Sequence, residues 1–130
     1  MAGFSDYLED KVLKHVFGGS AYTAPSTLYV ALYTVAPTDT GGGTEVSGGG
    51  YTRQTAAFTV SGTNTTQASN TAAIEYPTAT ANYGSVVAVG VFDASSGGNL
   101  MAYANLTSSK VVSTGDVFRF NAGDLDITLA

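Results

Sequence analysis

The chain has 130 residues with ten acidic and five basic side chains, a net charge of −5, and no cysteine. One domain with its own core fits that length, and a disulfide framework or thiolate zinc site is excluded. The basic residues Lys11, Lys14, Arg53, Lys110 and Arg119 are scattered, which argues against a phosphate-tracking patch and a nucleic-acid partner. Charged residues are 12% of the chain, about half the usual quarter, so Ser, Thr, Asn and Gly must supply much of the polar surface. The opening MAGFSDYLEDK is acidic and no long apolar run follows. The expectation is therefore no signal peptide, no membrane span and synthesis in the cytosol.

Residues 5–17 read as the one helix. Ser5 can cap it, Asp6, Glu9 and Asp10 suit the positive end of its dipole, and Lys14 and His15 suit the negative end. Phe4, Leu8, Val12 and Val16 recur at helical spacing, with Leu13 and Phe17 widening the stripe, and Gly18-Gly19 ends it. A helix this short must bury its stripe against something, so it is either a lid on the strands or an arm reaching a partner.

Strands follow. Residues 27–34 place Leu28, Val30 and Leu32 on one face and Tyr29, Ala31 and Tyr33 on the other, bounded by Pro25 and Pro37. Residues 36–50 carry two triple-glycine runs and read as a flexible loop. They lack the Lys-Ser/Thr pair of a phosphate-binding loop. Further strands are expected at 51–60 and at 68–76, where Ala68, Asn70, Ala72, Ile74 and Tyr76 share a face, with a turn at 61–66 between them. Residues 86–92 are apolar on both faces, as in a central strand. The loop 93–99 then leads to a strand at 100–106. A turn at 107–109 and short strands at 110–112, 117–120 and 124–129 complete the chain, the last with Leu125, Ile127 and Leu129 facing inward. About eight strands at this spacing predict an all-β antiparallel sandwich, jelly-roll-like in order, with one N-terminal helix, all in a single domain over residues 1–130.

Catalytic chemistry is thin. His15 is the sole histidine and no Gly-x-Ser-x-Gly elbow accompanies it, so it reads as a helix-end cation. Asp116, Asp124 and Asp126 lack the Asp-x-Asp-x-Asp-Gly pattern of a calcium loop, and alternation explains the last two as the wet side of a strand. Glu45 and Glu75 are candidates for paired-carboxylate glycoside hydrolysis by elimination only. The eight tyrosines could stack on sugars, but protein interfaces are their commoner use. The expectation is a non-enzymatic chain with no cofactor and no metal.

Taken in order, GGSAYTAPSTLYVALYT, the glycine loop closing on EVSGGGYTRQ, GVFDASSGGNLMAYANL and STGDVFRFNAGDLDITL resemble small virion proteins of tailed phages, usually labelled tail fibre proteins. The resemblance spans residues 5–129. It implies a particle subunit that assembles with copies of itself and with other virion proteins, in particles built in the bacterial cytoplasm. Similar small sandwiches decorate phage capsids as cement proteins, often as trimers. The short length favours such capsid decoration against the major capsid protein. A tail or tail-fibre module attaching to the host through Tyr51 or residues 36–50 is the alternative, and a carbohydrate-binding or carbohydrate-cleaving domain is a third. The expected protein-interface residues are Phe4, Leu8, Val12, Val16 and Tyr51.

Overall fold

A computed structural model describes residues 3–60 and 67–128. The chain runs β1 (Gly3–Phe4), α1 (Asp6–Val16), β2 (Leu28–Val35), β3 (Thr44–Glu45), β4 (Gln54–Ala56), β5 (Phe58–Val60), β6 (Gln67–Asn70), β7 (Ile74–Glu75), β8 (Gly84–Phe92), β9 (Leu100–Val112), β10 (Arg119–Phe120) and β11 (Asp126–Thr128). All pairings are antiparallel. The main sheet has the order β1-β9-β8-β2-β3, with β4 also on the outer edge of β2, and a three-stranded sheet β11-β6-β5 and a two-stranded sheet β10-β7 form the rest. The all-β sandwich with one short helix is therefore present. The described strands divide six, three and two, not into the two four-stranded sheets from which a jelly roll is built.

β8 sits between β2 and β9, the central place that its unbroken apolar run requires. Both faces of this sheet are covered. Val30, Leu32, Val86, Val89, Val91, Ala102 and Ala104 face the larger core, where Ile74, Tyr76, Phe118, Phe120 and Leu125 come from the smaller sheets. Each fully buried valine or leucine among them contributes about 1.5–3 kcal/mol. Tyr51, Tyr76, Phe118 and Phe120 form a chain of rings with centroids 6.1, 5.8 and 5.1 Å apart. The Tyr76 hydroxyl donates to the Val30 carbonyl at 2.8 Å, fastening the second layer to the first. Ala31, Tyr33, Ala88, Phe92 and Leu100 form a second, smaller cluster on the opposite face. Alternation in β2 supplies both.

Two irregularities explain where the expected strands differ. The expected turn at 107–109 lies inside β9, whose pairing with β8 jumps from Val86↔Lys110 to Ala88↔Asn105; its polar residues mark a bulge rather than a reversal. The expected strand 51–60 is β4 in the main sheet and β5 in a small one, with Ala57 at the break. The expected strand 68–76 likewise divides into β6 and β7. Buried Asn70 justifies that break: its side chain donates to the carbonyls of Ala72 and Asn121 and accepts from the Leu125 amide. The expected turn at 61–66 and the inward Leu129 lie outside the described residues.

A second bulge, between Val91 and Phe92 and opposite Met101, anchors the N-terminus. The Ser5 amide donates to the Met101 carbonyl at 2.8 Å, and the Ser5 hydroxyl donates to the Leu100 carbonyl. The same hydroxyl accepts from the Leu8 amide at 3.3 Å as the cap of α1. Ser5 is 1% exposed, so one buried side chain starts the helix and fixes it to the sheet.

Residues 36–50 are fastened along the edge of β2. Thr38 and Gly41 exchange backbone bonds, β3 pairs with β2, and the amide of buried Val46 donates to the Leu32 carbonyl at 2.9 Å. Glycine is required at two places. At Gly43, with φ +73°, a β-carbon would lie 2.5 Å from the Val35 carbonyl oxygen, and at Gly49, with φ +63°, 2.7 Å from that of Ala81.

Candidate functional site

The five expected interface residues divide. Phe4 pairs with Ala102 in the main sheet and is half-buried. Leu8 and Val12 are half-buried where α1 lies along β9, while Val16 is 60% exposed, as is Leu13, and Phe17 is 82% exposed. No residue of α1 is fully buried. The helix is thus a lid at its N-terminal half and presents an apolar end to solvent at its C-terminal half. Tyr51 is not on offer to a partner in the same way. Its ring packs on Tyr76 and Tyr83, and its hydroxyl donates to Glu45 Oε2 at 2.7 Å while accepting from the Leu32 amide at 3.0 Å.

Tyr51 belongs to a cluster built where β3 and β4 meet the edge of β2. Arg53 forks onto Glu45, Nε to Oε2 and Nη2 to Oε1, both at 2.9 Å. Nη1 donates to the carbonyls of Ala94 at 2.9 Å and Gly97 at 2.8 Å. The guanidinium carbon stands 3.8 Å from the Phe92 ring centre. The pair is well shielded, with the Arg53 side chain 7% exposed and that of Glu45 27%. Burial raises the Glu45 pKa, but hydrogen bonds from Arg53 and Tyr51 and the Arg53 charge outweigh it and hold the carboxyl below its ordinary value. Burial, then the bond to Glu45, push the Tyr51 phenol far up. Glu45 is therefore an ionised acceptor locked in a structural pair, not an acid poised to donate a proton.

The other candidates are also occupied. Glu75 pairs with Arg119 across β7 and β10 at 3.1 Å, both exposed. Asp116 accepts from the Ser113 amide, Asp124 from the Asn121 amide and Asp126 from the Ser69 hydroxyl. Among the described residues no three His, Asp or Glu side chains come together as metal ligands. His15, at the end of α1, accepts at Nδ1 from the Tyr22 amide at 3.0 Å.

Described residues line two open clefts. One, of about 850 Å³, lies between β9 and residues 116–126. Its three aspartates are those already bonded within the chain. The other, of about 620 Å³, lies over the smaller apolar cluster, between the start of α1, residues 39–42 and residues 97–100. Tyr33, Phe92 and Arg53 line it, with Asp6, Tyr7, Asp39 and Asn99 around them. The Asp39 carbonyl accepts from the Asp6 amide at 2.9 Å and its carboxylate accepts from the Tyr103 hydroxyl. This cleft was not legible in the sequence. Its nearest signal was a glutamate and an arginine bracketing one glycine loop in a chain with very few charges.

The family comparison places the chain among phage virion proteins of the fibre type. The family described as podophage GP4 fiber I protein gp80 matches residues 3–128, and the chain belongs to that family. No curated protein matches it.

Proposed function

We propose that the chain is a non-enzymatic subunit of a phage fibre, assembled in the bacterial cytoplasm and held in the virion by contacts with copies of itself. The observation that carries this reading is the family match over residues 3–128. It moves the tail-fibre alternative ahead of capsid decoration, because the family is described as a fibre and the short length was the main support for a cement role. The contact surface is the apolar end of α1, where Leu13, Val16 and Phe17 stand exposed beside half-buried Val12. Burying such side chains against a neighbour is favourable at about 25 cal/mol per Å², and repetition along a fibre multiplies a modest contact.

Quantitative mass spectrometry of separated heads and tails from purified virions tests the location. A few copies per particle, in the tail fraction, are expected. Hundreds in the heads would restore the decoration reading, and absence from both would overturn any particle role. The double variant Val16→Asp/Phe17→Asp tests the contact. Both side chains are exposed, so the monomer should melt as the parent does while self-association in sedimentation is lost. Undiminished association would remove α1 from the interface.

A further inference from the structure

The cleft between β9 and residues 116–126 combines open apolar surface with unpaired negative charge. Val111 is 70% exposed and Val117 47%, in a lining that also includes the buried Phe118 and Leu125. Asp116, Asp124 and Asp126 line the same cleft, and their carboxylates accept only from neutral donors, the Ser113 and Asn121 amides and the Ser69 hydroxyl. Among the described residues none of the three forms an ion pair. Arg119 lines the cleft too, but its guanidinium is committed to Glu75 and Asn121. Lys110 is left as a single cation against three carboxylates.

The chain itself carries the complement. The open end of α1 presents Leu13, Val16 and Phe17, and residues 11–17 hold two lysines and no carboxylate. Lys14 reaches Asp10 at 3.0 Å with both side chains about half exposed. Such a surface pair adds little to the fold and is free to exchange partners. No residue of α1 lines the cleft, so within one molecule the two surfaces lie apart. Two helix ends meeting each other would cover the same apolar side chains but set lysine against lysine. The cleft sets lysine against aspartate. We infer, building on the α1 contact proposed above, that the apolar end of α1 of one copy seats in the cleft between β9 and residues 116–126 of the next. Donor and acceptor are different patches, so the contact is head to tail. Each copy gives a helix end and receives one, and the assembly has a direction.

Sedimentation of the full chain and of two variants tests this. Val111→Lys/Val117→Lys alters the cleft alone. Both positions are exposed and share the cleft with three carboxylates, so the melting temperature should match the parent while self-association is lost. Mixed with Val16→Asp/Phe17→Asp, this variant should form a one-to-one pair and nothing larger, because each protein keeps the face that the other lacks. An unfolded variant could not do so. The chain has no cysteine, so single Phe17→Cys and Val117→Cys proteins mixed under mild oxidation should cross-link to each other and not to themselves. A cleft variant that associates as the parent does would overturn the inference and leave the α1 contact standing. So would a mixture that stays monomeric, or Phe17→Cys cross-linked to itself. A parent that is monomeric at every concentration would overturn both contacts, while virion fractionation judges the fibre role separately.

Discussion

Arg53 lies with its guanidinium carbon 3.8 Å from the centre of the Phe92 ring, and it holds the loop after Phe92 by two carbonyls, those of Ala94 and Gly97. One side chain just ahead of β4 thereby fixes the hairpin joining β8 and β9. Arg53→Lys keeps the charge but not the planar fork that reaches Glu45 and both carbonyls. Arg53→Met also leaves the Glu45 carboxylate without its counter-charge. The lysine variant should lose about 1–3 kcal/mol and the methionine variant about 3–5. Urea denaturation of the two proteins gives the ranking, and equal losses would show that charge alone matters.

Ser5 should be more important than its size suggests. Ser5→Ala removes the cap of α1 and leaves the Leu100 carbonyl short of its buried donor. The combined loss should be about 1–3 kcal/mol. Because the damage is local, hydrogen exchange should speed up at residues 5–17 well before it does in β8. Uniform acceleration would contradict the local anchoring.

Gly90 has no room for a side chain. A β-carbon there would stand 2.9 Å from Leu100 Cδ1, 2.9 Å from Tyr33 Cε1 and 3.1 Å from Phe92 Cε1. Two of those neighbours are rings within the packed smaller cluster. Gly90→Ala should therefore destabilise the protein by about 1–3 kcal/mol through overpacking. A thermal melt unchanged from the parent would show that the cluster yields.

Acid and alkali should weaken the fold for different reasons. Glu45 is held below its ordinary 4.5, so the stability it contributes is present above that value and is lost as pH falls through the lowered one. Glu45→Gln should flatten this acid limb. The Tyr51 and Tyr76 phenols are pushed up from 10.0, chiefly by burial. They retain protons that the unfolded chain releases, so stability is full below pH 10 and declines above it. Melting temperatures across both limbs give the test, and an acid limb unaltered by Glu45→Gln would remove Glu45 from the account.

Much of the architecture could be read from residue order alone because it rests on local patterns. The helix carries its cap, charges and stop signal within its own residues, and the central place of β8 follows from its run of Val and Ala. What escaped depends on tertiary context. Nothing near Ala57 announces that a strand changes sheet there, and the polar residues 107–109 look like a turn although β9 continues through them. Of the residues expected to share a face with Asn70, Ile74 and Tyr76 are buried as it is but Ala72 is exposed, and the three bonds of Asn70 to residues near and far cannot be seen in an alternating pattern. At the candidate sites, Phe4, Leu8, Val12 and Val16 form a continuous stripe on paper. Only the docking of α1 on β9 divides it into a covered half and an open end. Arg53, Glu45 and Tyr51 meet because two short strands share one edge of β2, a relationship with no signature in spacing.

The Ser5 contact with Leu100 joins positions 95 apart in the chain. α1 leaves the ribosome before the bulge that receives it. Throughout that interval the helix has no platform, and Leu8 and Val12 are as exposed as Val16 and Phe17. Completion of the β8–β9 hairpin therefore times the burial of the N-terminus, and any nascent chain arrested before Met101 carries a bare amphipathic segment, open to chaperones, to proteases and to its neighbours on the same message.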